Sequence, residues 1–159
     1  MNTALQIDLA TSPTADARLL VEELESWLSK FYTREQRHGL ALEAIFQPHI
    51  RFFLARENDA PVGCGGVALF KGFGELKRMY VREGKRGRGI ADAILARLEA
   101  EARGAALPML KLETGVHQHA SLRFYEKSGF TRCSAFPPYT EMAPSAISTS
   151  VFMEKAMSR

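Results

Sequence analysis

The sequence predicts an α/β (α+β) domain: a mixed, mostly antiparallel sheet of about seven strands flanked by about four helices. Three observations carry this. Strand-like runs at residues 50–57, 62–70 and 75–82 follow one another through short turns of Asn, Asp, Pro and Gly, the pattern of an antiparallel meander. Apolar residues at helical spacing mark residues 13–31 and 89–103, on either side of that meander. With 159 residues, 46% hydrophobic and 25% charged, the chain has the size and balance of one globular domain, taken as residues 1–159.

In chain order, "ALQIDLA" (4–10) alternates Leu5, Ile7 and Leu9 on one face and reads as a strand. Ser12 is the expected N-cap and Pro13 the first residue of a helix over 13–31. Its stripe is Leu20, Leu24, Trp27, Leu28 and Phe31, with Trp27 and Phe31 read as core. A shorter helix is expected over 34–46, before Pro48, and the meander follows. The helix over 89–103 buries Ile90, Ile94, Leu95 and Leu98 and stops at Gly104. "MLKLET" (109–114) is a strand, and 118–128 a helix ended by Gly129. "FTRCSAF" (130–136) and "ISTSVFMEK" (147–155) are the last strands, joined through the proline-rich "PPYTEMAPS" (137–145).

The net charge of +3 is too small to imply a polyanion partner by itself. Its location is more informative. Residues 71–88 hold seven basic and two acidic residues, a net of +5, which leaves −2 for the rest of the chain. An anion is therefore expected at that segment. Cys64 and Cys133 are too few for a disulfide framework and lack zinc-site spacing, so they read as free thiols and no metal is expected. No basic start with a long apolar run opens "MNTALQIDLA", and no apolar run approaches ~18 residues, so a cytoplasmic protein without membrane partner is expected.

Within the basic segment, "VREGKRGRGIADAILARL" (81–98) runs from a strand through a glycine-bearing turn into a helix. The first N–H groups of a helix lack internal partners, and the helix dipole makes that end positive. Gly87 and Gly89 leave the backbone open to an anion, and Arg86 and Arg88 add charged donors. The spacing is neither a Walker loop nor a dinucleotide fingerprint. A solvated basic turn is the plain alternative.

Two motifs together resemble the GNAT superfamily of N-acetyltransferases. "VREGKRGRGIADAIL" resembles that family's acetyl-CoA motif, with Arg86, Gly89 and Ala91 in its core, and "QHASLRFYEKSGF" (118–130) resembles its late helix ending in Tyr-x-x-x-Gly-Phe. The order of elements agrees over nearly the whole chain. The resemblance implies a GNAT-like sheet and an acetyltransferase with acetyl-CoA as donor. Met79, Tyr80 and Val81 would pair their backbone with the pantetheine arm. The turn Arg86, Gly87, Arg88, Gly89, Ile90 and Ala91 would hold the pyrophosphate, and Gln118 stands at a further cofactor position where many members have Asn. Tyr125 would be the acid that protonates the leaving thiolate. Glu75, six residues before Val81, would be the base, directly or through water, and strand alternation is expected to put it on one face with Lys77, Met79 and Val81.

The acceptor site is expected from residues 13–46 and 136–146, with Trp27, Phe31, Tyr32, Arg34, Arg37, His38, Phe136, Tyr139 and Glu141 available. Its ligand is a small-molecule or peptide amine attacked directly in a ternary complex. His117 and His119 lack a third metal-ligand neighbour and read as surface histidines. The alternatives are a non-catalytic acyl-CoA sensor and a basic nucleic-acid module. The latter lacks interleaved aromatics beyond Phe73 and Tyr80, so no nucleic acid is expected. A homodimer is left open.

Overall fold

The computed structural model describes residues 4–158; residues 1–3, part of the stretch read as having no leader, lie outside the described residues, as does residue 159. The chain runs β1 (Leu5–Ala10), α1 (Ala15–Leu28), one-turn α2 (Leu42–Ile45), β2 (Ile50–Glu57), β3 (Ala60–Leu69) and β4 (Gly74–Val81). It continues α3 (Ile90–Gly104), β5 (Met109–Gly115), α4 (His119–Lys127), two-residue β6 (Thr131–Arg132), a 3₁₀ turn (Tyr139–Glu141), one-turn α5 (Pro144–Ile147) and β7 (Ser150–Ala156). The seven strands form one sheet in the order β1-β2-β3-β4-β5-β7-β6, antiparallel except between β4 and β5. The mixed, mostly antiparallel sheet is the one the sequence predicts, with three longer helices and two single turns of helix around it.

Both faces of the sheet are covered, which explains the unbroken apolar run in β2. Phe52 and Leu54 pack with Leu20, Val21, Leu42 and Ile45 of α1 and α2 on one face. Phe53 and Ala55 pack with Ile94 and Leu98 of α3 and Leu122 of α4 on the other. The β2–β3 turn holds Asn58 and Asp59 at φ of 49° and 66°, the left-handed pair that a tight hairpin needs. No helix among the described residues is long and apolar enough to cross a membrane.

Several boundaries differ from expectation, each for a local reason. Thr14, not Ser12, caps α1: its hydroxyl accepts the Ala17 N–H at 3.3 Å. The helix expected over 34–46 shrinks to Leu42–Ile45. Gly39 lies against the Arg78 guanidinium so closely that a Cβ there would overlap it, so this segment serves as a wall rather than a helix. α3 is closed by Ala106 at φ 57°, two residues beyond Gly104. The strand expected over 130–136 stops at Arg132, because Phe136 turns into a separate core with Tyr139 and Phe152. Phe31 is 46% exposed rather than core and stacks on Trp27 at 5.0 Å.

One deviation reorganises the site. Cys64 pairs with Tyr80 and Gly66 with Lys77, so Gly65 alone faces both Arg78 and Met79. This is a β-bulge, with Arg78 at φ 55°. The extra residue breaks the alternation: Glu75 and Lys77 share a face and an ion pair, whereas Met79 and Val81 join Leu76 against the α3 side. Glu75 therefore does not share a face with Met79 and Val81. A Cβ at Gly65 would overlap Met79 Sδ and come within 2.7 Å of Ile94 Cγ2. Gly65→Ala is expected to cost about 1–3 kcal/mol through overpacking, read by chemical denaturation.

Candidate active site

β4 and β5 are hydrogen-bonded only at Gly74–Leu110 and Glu75–Lys111. Beyond that point the two parallel strands part, although β4 continues to Val81 and β5 to Gly115. Past the bulge, Tyr80 and Val81 still pair with Cys64 and Gly63 of β3, while their edge toward β5 carries no strand. Two cavities open along this split.

The larger, of about 600 Å³, runs along Met79, Tyr80 and Val81, then Lys85, Arg86, Gly87, Gly89, Ile90 and Ala91, and across to Gln118 and Tyr125. Of the cofactor residues expected from sequence, all but Arg88 line it. The Arg88 guanidinium instead turns to Glu57 at 3.4 Å, because that β2 carboxylate lies beside the turn. Arg86 Nε donates to the Val81 carbonyl at 3.0 Å and ties the turn to the end of β4. Gly87 and Gly89 have φ of 77° and 80°, and a Cβ on either would meet nothing within 4 Å. Glycine is needed there for backbone conformation, and the space in front stays open. Gly89 is the N-cap of α3, so the Ile90, Ala91 and Asp92 N–H groups have no intrahelical acceptor. That cradle fits a pyrophosphate.

Much of the positive excess at residues 71–88 is neutralised within the protein. Arg78 pairs with Glu25 at 3.0 Å, Arg82 with Glu23 at 2.9 Å and Lys77 with Glu75 at 2.9 Å. Tyr80 also donates to Glu23 at 3.0 Å. The segment is thus no continuous basic surface.

The smaller cavity, of about 90 Å³, lies on the α1 side of the split. Tyr32, Arg37, His38 and Gly39 form one wall, Glu75 to Met79 and Leu112 to Gly115 the sheet floor, and Tyr139 another wall. Glu75, 1% exposed, is bonded through one oxygen to two donors: Tyr139 O–H at 2.5 Å and Lys77 Nζ at 2.9 Å. Burial, then the Glu75 charge, pushes the Tyr139 phenol far up, so it stays protonated. His38 Nε2 lies 2.7 Å from the Ala146 carbonyl, which links this wall to the segment carrying Tyr139. Of the other acceptor-site expectations, Trp27 lines the larger cavity and Phe136 is core.

The two cavities meet at Leu24, Met79, Gln118, Ser121 and Tyr125. Tyr125 is 7% exposed, and burial raises its phenol well above the ordinary value, so it stays protonated at neutral pH. No group among the described residues takes a hydrogen bond from its hydroxyl. Gln118 uses its Oε1 to accept the Gly115 N–H at 2.8 Å, which joins the end of β5 to the start of α4. The structure thus puts Tyr125 at the junction with Met79 and Gln118, the other expected cofactor residues except Arg88 along the larger cavity, and Glu75 in the inner one.

Sequence reasoning gave no place at the cavities to Lys85, His117, His119 or Glu113. Lys85 lines the larger cavity, and His117 and His119, exposed as expected of surface histidines, stand at its edge. Glu113, on the inner cavity floor, carried no motif. Its strand-end position between Leu112 and Thr114 was the only available signal.

Comparison with known proteins agrees with this geometry. Residues 18–130 match the acetyltransferase (GNAT) family. The chain is 42% identical to an IAA acetyltransferase of Azospirillum brasilense over 92% of this chain and 94% of that one. It is 29% identical to an aminoalkylphosphonate N-acetyltransferase of Salmonella typhimurium over 59% of this chain and 64% of that one. A solved acyl-CoA N-acyltransferase of Klebsiella pneumoniae superposes with a TM-score of 0.78 at 31% identity, covering 99% of this chain and all of that one. A helix-capped glycine turn, a split between parallel strands and a tyrosine at their junction thus coincide with relationship over nearly the full length: the chain belongs to the GNAT family and is an N-acetyltransferase.

Proposed function

We propose that the enzyme moves an acetyl group from acetyl-CoA to a primary amine of a small molecule or peptide, by direct attack in a ternary complex. The single observation that carries this is the meeting of two cavities of unlike chemistry at Tyr125. The larger has the backbone donors, glycines and cations suited to a phosphorylated cofactor. The smaller is walled by polar side chains, Tyr32, Arg37, His38, Glu75 and Tyr139, suited to a polar acceptor group.

Acetyl-CoA supplies the activated acetyl thioester; the protein supplies position and proton handling. In this reading the free edge of Met79, Tyr80 and Val81 takes the pantetheine arm as an added strand. Arg86, Gly87, Gly89, Ile90 and Ala91, with Lys85, hold the pyrophosphate, Arg88 contributing only its backbone. Gln118 orients the start of α4, and Tyr125 donates a proton toward the departing sulfur. The acceptor enters from the side of Tyr32, His38 and Tyr139. It must lose a proton before it attacks, since a free amine has a pKa of ~10. Two carboxylates of the inner cavity, Glu75 and Glu113, stand where that proton can go. A small acceptor is also in keeping with the aminoalkylphosphonate enzyme among the relatives.

A thermal melt with acetyl-CoA is expected to show saturable stabilisation. A screen of aliphatic and aromatic monoamines, amino acids, an aminoalkylphosphonate and short peptides, read by thiol release, is expected to find turnover. Absence of stabilisation by any acyl-CoA would defeat the reading; stabilisation without turnover on a broad panel would favour a sensor. Gly89→Val forces a β-branched residue to φ 80° at the cap of α3. It is expected to weaken acetyl-CoA binding by about tenfold by calorimetry, the equivalent of ~1–2 kcal/mol of left-handed strain.

A further inference from the structure

We propose that the inner cavity takes an acceptor amine that also carries an anionic group, a carboxylate or phosphonate, and holds that group on the guanidiniums of Arg37 and Arg78. This rests on the acetyl-transfer reading and names the class of acceptor within it.

Three features meet at Arg78. It sits in the bulge of β4 at φ 55°, a backbone conformation that non-glycine residues rarely adopt. Its side chain, 4% exposed, lies against Gly39, where any Cβ would overlap the guanidinium. Its buried Nη1 has no acceptor among the described residues. The other donors are engaged: Nε donates to the Leu40 carbonyl and Nη2 to Glu25 Oε1, both at 3.0 Å. Backbone strain and an unpartnered buried cation are each destabilising, and such features gather at sites that a ligand completes. Arg37 repeats the pattern. Its Nη1 reaches Glu25 Oε2 at 3.3 Å, while its buried Nε has no acceptor among the described residues. Both guanidiniums line the inner cavity. Gln36 lines it too; its Oε1 accepts the Thr33 N–H at 3.0 Å, which leaves its NH₂ end as a donor for a ligand.

The charges agree. Glu25 is one carboxylate between two guanidiniums, so this cluster keeps a net positive charge. Lys77 and Glu75 cancel on the cavity floor. Glu113 is the other carboxylate lining the cavity, and its Oε2 accepts the Ser150 hydroxyl of β7 at 2.7 Å. Burial pushes the Glu113 carboxyl up to about 7; the Ser150 hydrogen bond and Lys77 oppose this, and the Glu75 charge adds to it. Glu113 therefore presents less than a full negative charge to an incoming anion. The placement also suits the transfer. Arg37 and Arg78 line the inner cavity only, whereas Tyr125 stands where the two cavities meet. An acceptor held by its anion at the arginines extends its amine toward that junction. A neutral amine would leave the guanidinium N–H groups unpartnered, and the site discriminates against it for that reason.

The test uses matched amines: the α-amino acids and the ω-amino acids from glycine to δ-aminovalerate, the amide of each, and aminoalkylphosphonates of the same lengths, with turnover read by thiol release. Wild-type kcat/KM is expected to favour the best acid over its amide by about 100-fold. Either kind of acid leading its amide supports the inference, and the faster of the two names the anion. Arg37→Met should bring the acid-to-amide ratio to within about fivefold, and Arg37→Lys, which keeps the charge, should restore part of it. Arg78→Lys should lower the ratio as well. The loss should fall on KM for the acid more than on kcat.

A second readout needs no turnover. Calorimetry of the same panel on wild type saturated with CoA is expected to show acids binding and their amides failing to bind at the same concentrations, with the difference lost in Arg37→Met. Acetyl-CoA affinity, read at the larger cavity, checks that each variant is folded. The inference is overturned if amides turn over as fast as their acids, or if the ratio survives in both Arg37→Met and Arg78→Lys. Failure of wild type to acetylate any amine would count against the acetyl-transfer reading, and the calorimetry would still decide whether the inner cavity takes an anion.

Discussion

Glu75→Ala is expected to destabilise the protein by about 3–5 kcal/mol, the effect of leaving a buried ion-pair partner uncompensated. Lys77 is 14% exposed in its side chain and would lose its one close ion pair among the described residues, keeping the Tyr139 hydroxyl at 3.1 Å. The Tyr139 hydroxyl would lose its acceptor as well. Because Tyr139 also packs on Phe136 and Phe152, the loosening should spread into that satellite core. Urea denaturation measures the loss, and a double-mutant cycle with Tyr139→Phe should show that the two changes are not additive. A loss below ~1 kcal/mol would mean that Lys77 reaches water and the pair behaves as an exposed one.

Tyr125→Phe is expected to lower turnover about 100-fold while acetyl-CoA affinity changes by no more than about twofold. The ring is part of the core, in edge contact with Phe124 at 5.3 Å and Phe130 at 5.5 Å, and phenylalanine preserves those contacts. Only the hydroxyl at the meeting of the two cavities is removed. Steady-state kinetics with thiol detection, together with calorimetry for acetyl-CoA, separates the two effects. Unchanged turnover would leave Tyr125 as a packing residue and give the proton to water.

The sequence disclosed what depends on local pattern. The meander follows from turn residues, the cofactor turn from Gly87 and Gly89 before an amphipathic run, and the end of α4 from Gly129, whose φ is 98°. Features set by packing between distant segments were hidden. Gly39 looked compatible with a helix because nothing local reveals that Arg78 lies against it. Strand alternation put Glu75 and Met79 on one face, since a bulge leaves no mark in hydrophobic spacing. Arg88 belonged to the basic cluster by proximity, yet Glu57, 31 positions away, claims it. Glu113 went unnoticed because its surroundings are assembled from β4, β7 and the segment after α1.

The bulge at Arg78 also bears on how the enzyme can change over time. It divides β4 into two half-strands that border different cavities. Residues before it face the inner cavity, and residues after it follow the larger one, with Met79 alone bordering both. Under the proposed function, drift in the inner-cavity wall at positions such as Gln36 and His38 can therefore alter which amine is accepted while the register of Met79, Tyr80 and Val81 stays fixed. A scaffold with that partition can diversify its acceptors without relearning its donor.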